Sequence, residues 1–158
     1  RMTMILNPET DLELVRHLKA PPAKVWRCWT EPALLEQWFA PKPVVTRDVQ
    51  IDLRPGGIFA TTMDIPGMDS QTGAGCILEV VPERRLVWTD LLGPGYHPAA
   101  DSFGMTAIIL LEPEGTGTLY RAIALHRTPD QRKSHEDMGF HDGWGTAAAQ
   151  LDAVAAAL

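Results

Sequence analysis

Residues 128–158 read TPDQRKSHEDMGFHDGWGTAAAQLDAVAAAL, and this stretch decides the fold. Thr128 suits a helix N-cap and Pro129 the first helical position. Gln131 stands where it completes a capping box. Beyond that start, Phe140, Trp144, Ala147, Leu151, Val154 and Leu158 recur at spacings of three and four and form one apolar stripe. The pattern predicts one long C-terminal helix with a face to bury. Gly139, Gly143 and Gly145 lie inside it, each costing about 1 kcal/mol against alanine, and predict a bend or a close backbone approach.

Upstream the period is two. Strands are predicted over 44–53, 58–65, 73–81, 85–92, 103–111 and 118–126. They are separated by turn chemistry: Pro55-Gly56-Gly57, Pro66-Gly67, Pro82-Glu83, the 93–98 loop and EPEGTG at 112–117. Connections of hairpin length make an antiparallel meander. A further strand is predicted over 11–19, stopped by Pro21-Pro22. Two short helices follow it. The first carries Val25, Trp26 and Trp29. The second, capped by Thr30, carries Leu34, Leu35, Trp38 and Phe39 on one side. Six meander strands must twist, and a twisted sheet covered by one helix leaves a concave space between them. The predicted class is therefore α+β, a helix-grip arrangement. A curved antiparallel sheet of about six or seven strands wraps the long C-terminal helix, and two short helices follow the first strand.

A chain of 158 residues fits one domain, here 11–158 with 1–10 as an N-terminal extension. At this length folding buries roughly 68–70% of the surface, enough for a core without staples. The net charge of −6 and the lack of any basic stripe argue against nucleic acid as a partner. No apolar run reaches membrane-span length, so no membrane insertion is expected. The N-terminus lacks the pattern of a signal peptide, and the expected location is cytoplasmic. Cys28 and Cys76 read as free buried thiols.

Four segments carry a family resemblance: APPAKVWRCWTEP at 20–32 with LLEQWFAP at 34–41, DLRPGGIF at 52–59, EVVPERRLVWT at 79–89, and His135-Glu136 with Gly143-Trp144 and Leu151. Together they resemble bacterial proteins related to the C-terminal domain of the heat-shock-protein ATPase activator, in the START/SRPBCC superfamily. The resemblance spans residues 11–158. It implies the helix-grip fold without fixing a function, because the superfamily hosts binders, carriers, cyclases and co-chaperones.

The chemistry-bearing residues are few. His135 and His141 are six apart, about 240° around a helix, and cannot chelate as a pair, so no metal is expected. His135, Glu136, Asp142 and Asp90 are the groups from which a cavity enzyme, cyclase- or hydratase-like, would draw a His–carboxylate pair. No nucleophile elbow, P-loop or dinucleotide fingerprint occurs, and no cofactor is expected. Cys28 sits among tryptophans, which raises a thiol pKa.

The remaining signal is aromatic and sulfur-rich. A small hydrophobic molecule is the expected partner, held in the sheet–helix cavity by Trp38, Phe59, Trp88, Met138 and Trp144. Met63, Phe103 and Met105 extend this lining, and His126 and His135 orient the guest. On the last strand Tyr120, Ala122, Ala124 and His126 share one face, whose two alanines leave room beneath the helix and place His126 at the rim. Met63 and Met68, and the loop with Tyr96 and His97, are the predicted lids. A protein-interaction module is the third reading, and homodimerisation through a sheet edge or helix is left open.

Overall fold

The computed structural model describes residues 4–158; residues 1–3 of the expected extension lie outside the described residues. The elements follow in the order β1 (Asp11–Leu18), α1 (Pro22–Thr30), α2 (Pro32–Leu35), β2 (Val45–Ile51), β3 (Ile58–Asp64), β4 (Gln71–Val81), β5 (Arg85–Thr89), β6 (Met105–Glu114), β7 (Gly117–His126), α3 (Pro129–Asp137) and α4 (Phe140–Ala156). One seven-stranded antiparallel sheet has the order β1-β7-β6-β5-β4-β3-β2. Strands β2 to β7 are the predicted meander. The chain's first strand closes it by pairing with the last, with Leu14 opposite Ala122. Register shifts between Arg47 and Gln50 and between Ile77 and Glu79 add local bends that help the sheet curl.

The turn at 52–58 shows why its sequence is Pro-Gly-Gly. A Cβ on Gly57 would stand 2.0 Å from the carbonyl oxygen of Asp52, so only glycine lets the backbone close there. On the concave side Leu12, Leu14, Ile77, Leu86, Ile109, Leu111 and Ala124 meet α1 and α4 in the main core. Val87, Ile108, Leu110 and Ile123 point the other way and are covered partly by Met4 and Leu6. Residues 4–10 therefore serve in part as a strap on the convex face.

Several local expectations change. The C-terminal helix is two helices. Gly139, at φ 97°, breaks it, because a left-handed residue cannot continue a right-handed helix. Thr128 does accept a hydrogen bond from the Gln131 amide at 3.1 Å. The Gln131 side chain does not return to close a capping box; it donates to the Phe103 carbonyl and ties α3 to the loop before β6. In the stripe, Phe140, Ala147 and Leu151 are buried, but Leu158 is exposed, and Ala148 and Ala155 complete the buried face. Helix α2 is a single turn capped by no side chain; Thr30 Oγ1 instead donates back to the Trp26 carbonyl at 2.8 Å. Strand β6 runs through Glu112–Glu114, shortening the expected 112–117 turn, and β5 stops at Thr89.

Candidate functional site

A cavity of about 500 Å³ lies between the concave sheet face, the α1–α2 segment and the two C-terminal helices. That is within the range of small-molecule sites, roughly 300–1,000 Å³. Its existence follows from small side chains under the helix. Ala122 on β7 and Ala147 and Ala148 on α4 face one another across the space, and no bulky group fills it.

Two aromatic walls bound the cavity. One is built by the strands and the α1–α2 segment. Phe59 stacks on Trp88 with centroids 4.6 Å apart. Trp29 meets Trp38 edge-on at 4.9 Å, and Phe39 sits 6.0 Å from Phe59. The other wall is built by the helices and the loop before β6. Trp144 packs on Phe140 at 4.5 Å, and Phe103 stands edge-on to His135 at 4.8 Å. Trp88 Nε1 is buried with no hydrogen-bond partner among the described residues. Met63, Met105 and Met138 also lie on the lining, and Met138 is 71% exposed at the surface.

Polar groups on the lining are sparse. The Tyr120 hydroxyl accepts a hydrogen bond from Trp29 Nε1 at 3.1 Å, and burial raises its pKa. Asp90 lines the cavity, but its carboxylate accepts the amide hydrogens of Gly104 and Met105, at 3.0 and 2.8 Å. It is an anchor for the chain before β6. His135 donates or accepts at Nδ1, 2.8 Å from His126 Nε2, while His126 Nδ1 is 2.8 Å from the Thr10 carbonyl oxygen. Burial, and secondarily the repulsion a protonated His126 would exert, pulls the His135 pKa down to about 4, so its imidazole is neutral at neutral pH.

The structure brings Trp38, Phe59, Met63, Trp88, Phe103, Met105, His135, Met138 and Trp144 around one space. His126 is not at the rim. It stands behind His135, because its ring is drawn outward to the Thr10 backbone. Of its strand neighbours, Tyr120 and Ala122 line the cavity, whereas Ala124 is packed in the core. Among the predicted lids, Met63 reaches the lining, Met68 is exposed and absent from it, and Tyr96 packs against Gly56. Of the groups from which a cavity enzyme would draw a His–carboxylate pair, His135 and Asp90 both line the space, but each is engaged elsewhere, His135 with His126 and Asp90 with the Gly104 and Met105 amides. Glu136 is turned to Arg132 and His141, 3.1 and 3.2 Å away, and Asp142 is exposed. Cys28 is free and buried, and burial lifts its thiol to about 11. Among the described residues no cluster of His, Cys, Asp and Glu is placed to hold a metal ion, and no helix is long and apolar enough to cross a membrane.

Sequence reasoning missed Trp29, Phe39, Thr61 and the β4 segment Gln71–Gly75 on the lining. The run Gly73-Ala74-Gly75 held a signal: residues this small in a strand mark a place where something else comes close.

A family model described as Activator of Hsp90 ATPase homolog 1-like protein matches residues 19–156. Among solved structures, a crystal structure of a protein from Nitrosomonas europaea is 50% identical, with 94% of this chain and 96% of that one covered and a TM-score of 0.91. A crystal structure of a protein from Rhodobacter sphaeroides is 24% identical, covering 96% and 97%, with a TM-score of 0.81. The solution structure of an AHSA1-like protein from Aeromonas hydrophila is 18% identical, covering 93% and 92%, with a TM-score of 0.69. The last two are likenesses of fold alone. The search of curated proteins gives no match.

Proposed function

Since the chain belongs to the Activator of Hsp90 ATPase homolog 1-like family, within the START/SRPBCC superfamily, we propose that it binds a small hydrophobic molecule in the space between its sheet and α4. The observation that carries this reading is the 500 Å³ space itself, walled by aromatic and methionine side chains. Protein interiors are packed to the density of organic crystals, and an apolar void of this size forfeits contacts that packing would otherwise supply. A guest restores them. Trp38, Phe59, Trp88, Trp144 and the three lining methionines contribute contact area, and methionine adapts its shape to what enters. His135 is the polar group that orients the guest.

The co-chaperone reading that the family description suggests has no comparable support. Among the exposed large apolar residues, Val15 and Val45 lie on opposite sheet edges and Met68 and Tyr96 on two loops, while Phe103 and Met138 belong to the cavity lining itself. The enzymatic reading would draw on His135 and Asp90, whose hydrogen bonds go to His126 and to backbone amides rather than to each other.

Thermal unfolding with an uncharged apolar probe tests the proposal. Biphenyl at about 100 times its dissociation constant stabilises the native state by about 2.7 kcal/mol. For this chain length that is an upward shift of several degrees. If no uncharged aromatic or aliphatic probe shifts the transition, the binding reading fails.

A further inference from the structure

Building on that reading, we infer that the cavity takes an uncharged aromatic molecule bearing a hydroxyl group, whose proton is donated to Nε2 of His135. The first step is the direction of a hydrogen-bond chain. The Thr10 carbonyl can only accept, so Nδ1 of His126 is the protonated nitrogen. With one hydrogen on each ring, His126 Nε2 carries the lone pair, and Nδ1–H of His135 donates to it across 2.8 Å. His135 is neutral at neutral pH, with one ring hydrogen, and that hydrogen is used. Its Nε2 is left as an acceptor with no partner among the described residues. His135 lines the cavity while His126 does not, so the ring's occupied edge faces away from the space and the free nitrogen belongs to the cavity side. The backbone of Thr10 thus fixes, through two imidazoles, which kind of hydrogen bond His135 offers to the cavity.

Charge narrows the class further. Among the described residues the lining contains no lysine or arginine, and its one carboxylate is Asp90. A carboxylate or phosphate on the guest would be buried without a counter-charge, which is costly. The aromatic lining, Phe59 stacked on Trp88 and, from the helices and the loop before β6, Trp144 and Phe103, favours a ring that stacks or meets an edge.

A matched set of probes separates these claims: biphenyl, para-hydroxybiphenyl, para-methoxybiphenyl and biphenyl-para-carboxylate, titrated calorimetrically into the wild-type chain at neutral pH. The hydroxyl compound is expected to bind about tenfold more tightly than the methyl ether, the value of one net hydrogen bond. The carboxylate is expected to bind at least about tenfold more weakly than biphenyl. In H135F the hydroxyl-to-ether ratio should fall to about one. A wild-type ratio near one, or a ratio that survives in H135F, overturns the inference while leaving the cavity reading intact. Tighter binding of the carboxylate overturns it as well. Absence of binding by all four compounds overturns both. The wild-type ratio decides by itself should H135F not fold.

Discussion

Ala148→Phe is expected to abolish binding of biphenyl while leaving the fold intact. Ala148 is buried at 2% exposure on α4, yet it lines the cavity. A benzyl group there has empty space to enter. Inserting bulk into a filled core usually costs about 1–3 kcal/mol through strain. Here the added ring gains contacts with Ala122 and the sheet wall, so stability should stay within about 1 kcal/mol of wild type. Affinity for biphenyl should fall at least about a hundredfold, because guest and side chain claim the same volume. Urea unfolding checks the first statement and calorimetric titration the second. A variant that is severely destabilised would mean that the space is smaller than it looks. A variant that binds as before would place the guest elsewhere.

Phe140→Ala should have the largest effect on stability. Phe140 is 1% exposed at the start of α4, packs on Trp144 at 4.5 Å and meets His135 at 5.2 Å. Truncating a buried phenylalanine costs about 3–5 kcal/mol, the lost transfer energy plus the new void. The loss is compounded by position. Helix α3 has no fully buried side chain and continues into α4 through the left-handed Gly139, so Phe140 is the first deeply buried residue after β7. The urea midpoint should drop with little change in slope, since the area exposed on unfolding is nearly the same. A change below about 1 kcal/mol would show that the junction of the two helices does not depend on this ring.

Much of this architecture could be read from the chain. Turn residues such as Pro55-Gly56-Gly57 act locally, and the period of two between them is a property of each segment. The stripe from Phe140 to Leu151 likewise reflects one helix face. What failed depends on backbone conformation or long-range geometry. Gly139 reads as a bend, but only its left-handed φ turns a bend into a break. Thr30 reads as a cap because threonine oxygen accepts from a following amide, yet its hydroxyl is taken by the Trp26 carbonyl one turn back.

The site divides in the same way. Trp88, Trp144 and Ala122 could be placed on inward faces by alternation and helical spacing. His126 lies on the same face of β7 by alternation, but its ring is captured by Thr10, 116 residues away in sequence, which no local pattern encodes. Trp29 looks like ordinary helix packing until the sheet closes over it, and the Gly73–Gly75 run becomes a cavity wall only through its pairing with β3.

The central claim is that the space between sheet and helix receives an apolar guest. The chain's five tryptophans allow a direct test. Trp29, Trp38, Trp88 and Trp144 line the cavity, whereas Trp26, on the same helix as Trp29, does not. In protein labelled with fluorotryptophan, saturation with biphenyl should move the fluorine resonances of the four lining residues and leave that of Trp26 nearly in place. Shifts confined to Trp26, or no shift at saturating probe, would contradict the account.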